Sequence, residues 1–324
     1  MHSLWLESKL LQGALLGDST RRRIDVYVPH GHDGAGLPLL VDLAGFLSGG
    51  PAHSNWRNFG ESLPERLDRL IADDLMPPAV VAMPDCFTRL GGNQYINSTV
   101  LGPWADILIE EMVPLVEQHF VCGGEGRRAV FGKSSGGYGA LVHALLHADF
   151  WAAAAAHSGD VGFELMFHSA FPDVLRALAR HDNSVETWLH SFEGKNKQKG
   201  DDLHVLLVLA MCASFDPAPE LPFGVRLPVD METCERLPER WQNWLNWDPL
   251  TLAAQHAAEL RKLKLLFFDC GTSDQYNLLY GNRRLQRLLD QQGIPHVYEE
   301  FPDNHSSIDY RLDRSLPLLV KALA

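Results

Sequence analysis

The order of apolar runs and amphipathic stretches predicts an α/β chain: a mostly parallel sheet of eight strands with helices on both faces. Three observations carry this. Runs such as Leu37 to Leu43, Ala79 to Met83 and Leu263 to Phe268 are almost continuously apolar, as in strands buried on both faces, rather than alternating. Stretches with helical spacing lie between them, for example Ile107, Leu108, Met112, Leu115, Val116 and Phe120 within 104–120. The chain has 324 residues, 46% of them hydrophobic, enough for one large layered core.

Taken in order, Lys9 to Leu16 and Arg21 to Val28 flank Gly17-Asp18-Ser19 and read as an antiparallel hairpin. Leu37 to Leu43 is a strand, Glu61 to Asp74 a helix, and Ala79 to Met83 a strand stopped by Pro84. The helix over 104–120 carries Pro114 and should kink there. Ala129 to Phe131 is a short strand and Gly137 to His147 a helix. Trp151 to Ala156 reads as a strand although its alanines suit either type. Leu263 to Phe268 is a strand, Asn282 to Gln292 a helix ended by Gly293, and His296 to Phe301 the last strand. A final helix runs from about Ser307 to the C-terminus. Residues 160–256 break the alternation with helical patterning and many aromatics. They read as a helical cap inserted into a core formed by 1–159 and 257–324.

The balance of 28 basic against 41 acidic residues leaves a net charge of −13, which argues against nucleic acid and anionic membranes as partners. The basic run Arg21-Arg22-Arg23 is a solvated strand entrance. Cys86, Cys122, Cys212, Cys234 and Cys270 are scattered without a CxxC pair, so neither a disulfide framework nor a zinc ribbon is indicated. The N-terminal stretch shows no signal-peptide pattern, and no apolar run is long enough to span a bilayer. A cytoplasmic protein with reduced thiols is expected.

The segment AVFGKSSGGYGA, residues 129–140, carries the chemistry. A phosphate loop needs four residues between its first glycine and Gly-Lys, and Arg127 stands where that glycine should be. The nucleophile-elbow pattern G-x-S-x-G fits instead. A sharp strand-to-helix turn leaves no room for side chains two residues either side of the serine. Ser134 has Gly132 and Gly136 there, whereas Ser135 would have Lys133 on one side. Ser134 is the candidate nucleophile and the Ser135 backbone N–H a candidate oxyanion donor, at the start of a helix whose dipole favours negative charge.

An acid and then a histidine should follow, each after a later strand. Asp269 and Asp274 both follow the strand ending near Phe268; Asp274, further out on its loop, is the better placed to reach across the sheet edge. His305 follows the last strand and is the candidate base. His157 is a pocket-wall candidate. The second oxyanion donor is expected from Phe46, after Gly45, in the loop following Leu43. His143 and His147 have the spacing of a zinc-protease helix, but Ala144 replaces the glutamate such a helix needs.

The segments LAGF, PDCFTRLGGNQYINS, GKSSGGYGA, CGTSDQYNL and FPDNH, in this order and spacing, resemble a branch of the α/β-hydrolase superfamily. That branch contains esterase D (S-formylglutathione hydrolase), enterochelin esterases, feruloyl esterases and mycolyltransferases. The resemblance covers 8–160 and 258–324. It implies the α/β-hydrolase fold, with Ser134 as nucleophile, Asp274 as acid, His305 as base, and Phe46 and Ser135 N–H groups as the oxyanion hole. Ala44 and Ser135 depart from the family, which often has histidine and methionine at those places.

The expected activity is hydrolysis of carboxylic esters through an acyl-enzyme, with no metal or organic cofactor. Acyl transfer or thioester hydrolysis by the same triad, and ligand binding without turnover, are the alternatives. The expected partner is a small-molecule ester, with an apolar or aromatic acyl group if the cap aromatics line its pocket. Trp241, Trp244 and Trp247, three residues apart, would share one helical face and otherwise hold the cap on the sheet. Homo-oligomerisation through the cap is left open.

Overall fold

The computed structural model describes all 324 residues. Eight strands form one sheet: β1 (His2–Glu7), β2 (Arg21–Tyr27), β3 (Leu39–Leu43), β4 (Val80–Pro84), β5 (Arg128–Lys133), β6 (Ala153–His157), β7 (Leu265–Gly271) and β8 (Val297–Phe301). Their spatial order is β1-β2-β4-β3-β5-β6-β7-β8. β2 is antiparallel to both of its neighbours, and every other pair is parallel. The helices of eight residues or more are α1 (Leu63–Ala72), α2 (Val113–Phe120), α3 (Ser135–Leu146), α4 (Phe171–Ala179), α5 (Val185–Glu193), α6 (Gly200–Phe215), α7 (Pro238–Leu245), α8 (Pro249–Leu260), α9 (Leu278–Gln291) and α10 (Leu312–Leu323).

The expected hairpin is corrected at its first strand. His2–Glu7, not Lys9 to Leu16, pairs with β2. Residues 9–16 form turns that drop Leu11 and Leu16 into the core. Their entry is anchored by Glu111, which accepts from the Ser8 hydroxyl at 2.5 Å and the Lys9 N–H at 2.8 Å. β1 is an edge strand with a half-exposed face, so it lacks the apolar run that marks a buried strand.

The helix over 104–120 departs from α geometry as its proline requires. A π-helical stretch, Ile107–Met112, precedes α2, and Pro114 sits in the first turn of α2. Pro114 has no N–H to give and crowds the carbonyl four residues back, and the wider turn accommodates both. β6, whose composition was ambiguous, is a fully buried parallel strand between β5 and β7. Its alanines allow α3 to pack closely over the strand.

Two apolar clusters cover the faces of the sheet. One of 19 buried residues joins α1 and α10 to one face. The other, of 71, covers the opposite face and runs without a break into residues 160–256. The inserted helices are therefore packed into the main core. α8, at the end of that segment, lies against α3 and resumes the layered architecture. No helix is long and apolar enough to cross a membrane.

Candidate active site

Only Ser134 separates the end of β5 from the start of α3, and its backbone stands at φ 58°, ψ −125°. L-residues rarely occupy that region, at a cost of about 1–3 kcal/mol. The turn is pinned on both sides: the Ser134 N–H donates to the His157 carbonyl at 3.0 Å, and the Tyr138 N–H donates to the Ser134 carbonyl at 2.8 Å. The flanking glycines are a steric necessity. A Cβ on Gly136 would lie 1.8 Å from the Leu43 carbonyl oxygen, and one on Gly132 would lie 2.5 Å from the same atom. Ser135 is buried, and its hydroxyl accepts from Gln94 Nε2 at 2.7 Å. Its N–H is the first of α3, where no intrahelical acceptor exists.

His305 and Asp274 arrive from the loops after β8 and β7. His305 Nδ1 and Asp274 Oδ2 are 2.8 Å apart, and both residues are buried. The second Asp274 oxygen accepts from the Tyr276 N–H at 2.9 Å, and the His305 N–H donates to Gln275 Oε1 at 3.0 Å. The Tyr276 ring stands edge-on to the imidazole at 4.9 Å. Ser134 and His305 line one cleft, with no hydrogen bond joining them. Such bonds are often long in a free site and tighten when substrate binds.

Asp269, the competing acid, is committed elsewhere. It accepts from His157 Nδ1 at 2.8 Å and from Arg311 Nε at 2.8 Å, while His157 Nε2 meets Ser315 Oγ at 2.8 Å. This buried Ser-His-Asp arrangement ties β6 and β7 to α10. His157 thus belongs to that network, away from the Ser134 cleft, although it borders a smaller cavity of about 350 Å³ behind the elbow. The zinc spacing of His143 and His147 also resolves locally. His143 bonds the Tyr95 carbonyl through Nε2 and accepts from Trp151 through Nδ1, each at 2.9 Å. Burial pushes its pKa down to about 3, leaving it neutral.

The loop after β3 carries Gly45 and Phe46 to the cleft. The Phe46 N–H has no backbone acceptor. Segment 84–98 holds this loop in place. A Cβ on Gly92 would lie 2.3 Å from the Phe46 carbonyl oxygen, and the Tyr95 hydroxyl donates to the Ala44 carbonyl at 2.6 Å. Since Gln94 also holds Ser135, one short segment braces both candidate oxyanion donors. Sequence reasoning quoted this segment only for its resemblance; its adjacent glycines and aromatic were the available signal.

The cleft holds about 480 Å³ and is roofed by Met166, Leu203, His204 and Leu207 from the inserted region. Its hydrophobic lining comes from Phe46, Leu47, Met166, Leu203, Leu207 and Tyr276, and none of the inserted tryptophans reaches it. The large inserted aromatics pack on one another instead. Phe167 meets Trp244 at 5.2 Å, Phe171 meets Trp241 at 5.9 Å, and Phe215 meets Trp244 at 5.4 Å. Trp241 and Trp244 share a buried face of α7 as their spacing predicts, whereas Trp247 lies past its end. Several polar groups on the cleft wall escaped sequence reasoning. His53 pairs with Asp42 at 2.5 Å, and that carboxylate raises the imidazole pKa. Burial lowers the Lys133 pKa. Asp160 and Tyr276 complete the set.

The chain matches the family model described as "Putative esterase" over residues 18–313. It belongs to this esterase family. No curated protein sequence matches it. Solved structures share its fold at low identity. A ferulic acid esterase superposes with a TM-score of 0.64 at 17% identity, covering 100% of this chain and 98% of the other. An S-formylglutathione hydrolase from Agrobacterium tumefaciens gives 0.62 at 16%, covering 99% and 95%. The enterobactin esterase FES from Shigella flexneri gives 0.53 at 15%, covering 100% of this chain and 59% of its own. The family makes this chain an esterase, and the structural neighbours share its α/β-hydrolase fold.

Proposed function

We propose that Ser134 is the nucleophile of this esterase, His305 its general base, Asp274 the acid that orients His305, and the Phe46 and Ser135 N–H groups its oxyanion hole. One observation carries the reading. The serine held in a conformation unfavourable for L-residues opens onto the cleft that the His305–Asp274 pair also lines. His305 takes the hydroxyl proton as Ser134 Oγ bonds to the ester carbonyl carbon, and the carbonyl electron pair moves onto oxygen. The two N–H groups meet that charge, each worth roughly 3–4 kcal/mol. Collapse expels the alcohol, which receives the proton from His305, leaving an acyl-serine. Water repeats the sequence and releases the acid. Asp274 holds the tautomer that keeps Nε2 free as acceptor.

Residues 160–256 act in this reading as a cap, with Met166, Leu203 and Leu207 supporting the apolar part of the acyl group. The esterase neighbours whose names specify ferulate and enterobactin make a compact, functionalised ester the favoured class. All five cysteines are free thiols, which fits a reducing cytoplasmic setting. The test is hydrolysis of p-nitrophenyl esters from acetate to decanoate by the wild type and Ser134→Ala, with phosphonate labelling of the serine. Activity and labelling lost together in the variant support the assignment. Undiminished activity in Ser134→Ala overturns it.

A further inference from the structure

Asp160 follows β6 in the loop Ser158-Gly159-Asp160 and lines the same cleft as Ser134 and Ser135. It is 1% exposed, yet neither carboxyl oxygen has a hydrogen-bond partner. Buried carboxyl groups are normally paired because leaving one unpaired costs free energy. The nearest polar groups do not supply that pairing. The Ser135 hydroxyl, held from its other side by Gln94, only partly offsets the burial, and Asp274 adds repulsion. Gln94 itself carries an unpaired buried carbonyl oxygen. Three acceptor oxygens, two on Asp160 and one on Gln94, thus surround Ser135, whose single hydroxyl proton cannot serve them all.

Resting on the esterase reading above, we propose that Asp160 is a specificity-determining residue that accepts a hydrogen bond from a hydroxyl group of the substrate near the scissile carbonyl. A neutral donor fits better than an ammonium. Burial and the neighbouring Asp274 raise the Asp160 pKa to about 7, so much of the population carries no charge at neutral pH to attract a cation. Lys133, half-buried in the lining of the same cleft, would oppose one. The natural substrate is thus a hydroxylated ester, and its plain alkyl analogue would leave the Asp160 oxygens unpaired. Sites built to bond a hydroxyl reject the analogue lacking it far more strongly than apolar pockets reject a methylene change.

The experiment compares kcat/KM for two matched pairs. One is p-nitrophenyl 3-hydroxybutanoate against butanoate, with the hydroxyl in the acyl group. The other is 2-hydroxyethyl butanoate against propyl butanoate, with the hydroxyl in the alcohol. Each pair is run on the wild type, Asp160→Asn and Asp160→Leu, with thermal melts and phosphonate titration giving the fraction of folded, reactive sites. The wild type should prefer the hydroxylated member of one pair by about tenfold or more, the scale of one well-made hydrogen bond. Asp160→Asn, which keeps an acceptor, should retain part of that ratio, and Asp160→Leu should bring it near 1. A wild-type ratio near 1 in both pairs overturns the proposal. So does an Asp160→Leu variant that slows both members equally, which is the signature of a structural role, or a preference for p-nitrophenyl 4-aminobutanoate over the hydroxy ester. Failure of the esterase reading is separate: the wild type would then hydrolyse neither pair and take up no phosphonate.

Discussion

The elbow's backbone makes a quantitative prediction. Ser134 sits at φ 58°, ψ −125°, which costs an L-residue about 1–3 kcal/mol. Ser134→Ala keeps that strain, while Ser134→Gly relieves it. Glycine in turn forfeits about 0.5–1 kcal/mol relative to alanine through the greater freedom of the unfolded chain. The Ser134 side chain makes no hydrogen bond, and both hydrogen bonds that pin the turn belong to the backbone, so neither substitution removes a native contact of consequence. The difference should leave Ser134→Gly more stable than Ser134→Ala by about 1 kcal/mol, within limits of roughly 0 and 2.5 kcal/mol. Urea denaturation of the two variants measures this directly, provided their m-values agree. If alanine is the more stable by the usual half to one kcal/mol, the elbow carries no strain and this account of it fails.

The same turn should reject Gly136→Ala, whose Cβ would lie 1.8 Å from the Leu43 carbonyl oxygen; a loss of about 3 kcal/mol or more is expected in chemical denaturation. Asp274→Asn should lower kcat by about 10⁴ with little change in melting temperature. Asp269→Asn, which removes the buried charge that His157 and Arg311 share, should instead cost about 3–5 kcal/mol of stability, and an exchange of the two phenotypes would reverse the acid assignment. Asp160 makes the stability pH-dependent. Its pKa is raised from 3.8 to about 7, so the folded chain keeps a proton that the unfolded chain releases between those values. Its contribution is full below pH 4 and is lost as pH rises through 7. Asp160→Asn should therefore gain on the wild type from pH 4 to 7 and level off above, by at most about 4 kcal/mol. A constant difference across that range would show that Asp160 titrates normally.

These predictions draw on residues that differed in how far the sequence could reveal them. The elbow was legible because a steric rule with two glycine positions leaves one serine, and Leu43 supplies the obstacle behind that rule. The placement of Asp274 and His305 was legible because each lies in a loop that follows a recognisable strand. β1 was not, because an edge strand keeps one face half-exposed and its pattern resembles a loop, while the apolar residues of 9–16 are turn residues inserted into the core. The inserted aromatics signalled burial but could not signal which neighbours they would meet.

The cleft wall was the least legible part, for a reason that Asp160 makes concrete. After a strand end, an aspartate ordinarily caps a turn or faces water, and its sequence neighbours give no reason to expect otherwise. Its significance comes from what is missing around it: exposure to solvent, and partners that other groups have taken. His305 is taken by Asp274 and Arg311 by Asp269, and the lone Ser135 hydroxyl offsets only part of the burial of Asp160. A catalytic triad announces itself through what its members must be, because the chemistry demands particular side chains in a particular order. A recognition site is defined by which donors and acceptors remain after every long-range pairing has formed. For this esterase the reaction could accordingly be read from local motifs, whereas a preference for hydroxylated substrates rests on a buried, unpaired carboxyl beside the cleft that only the folded chain reveals.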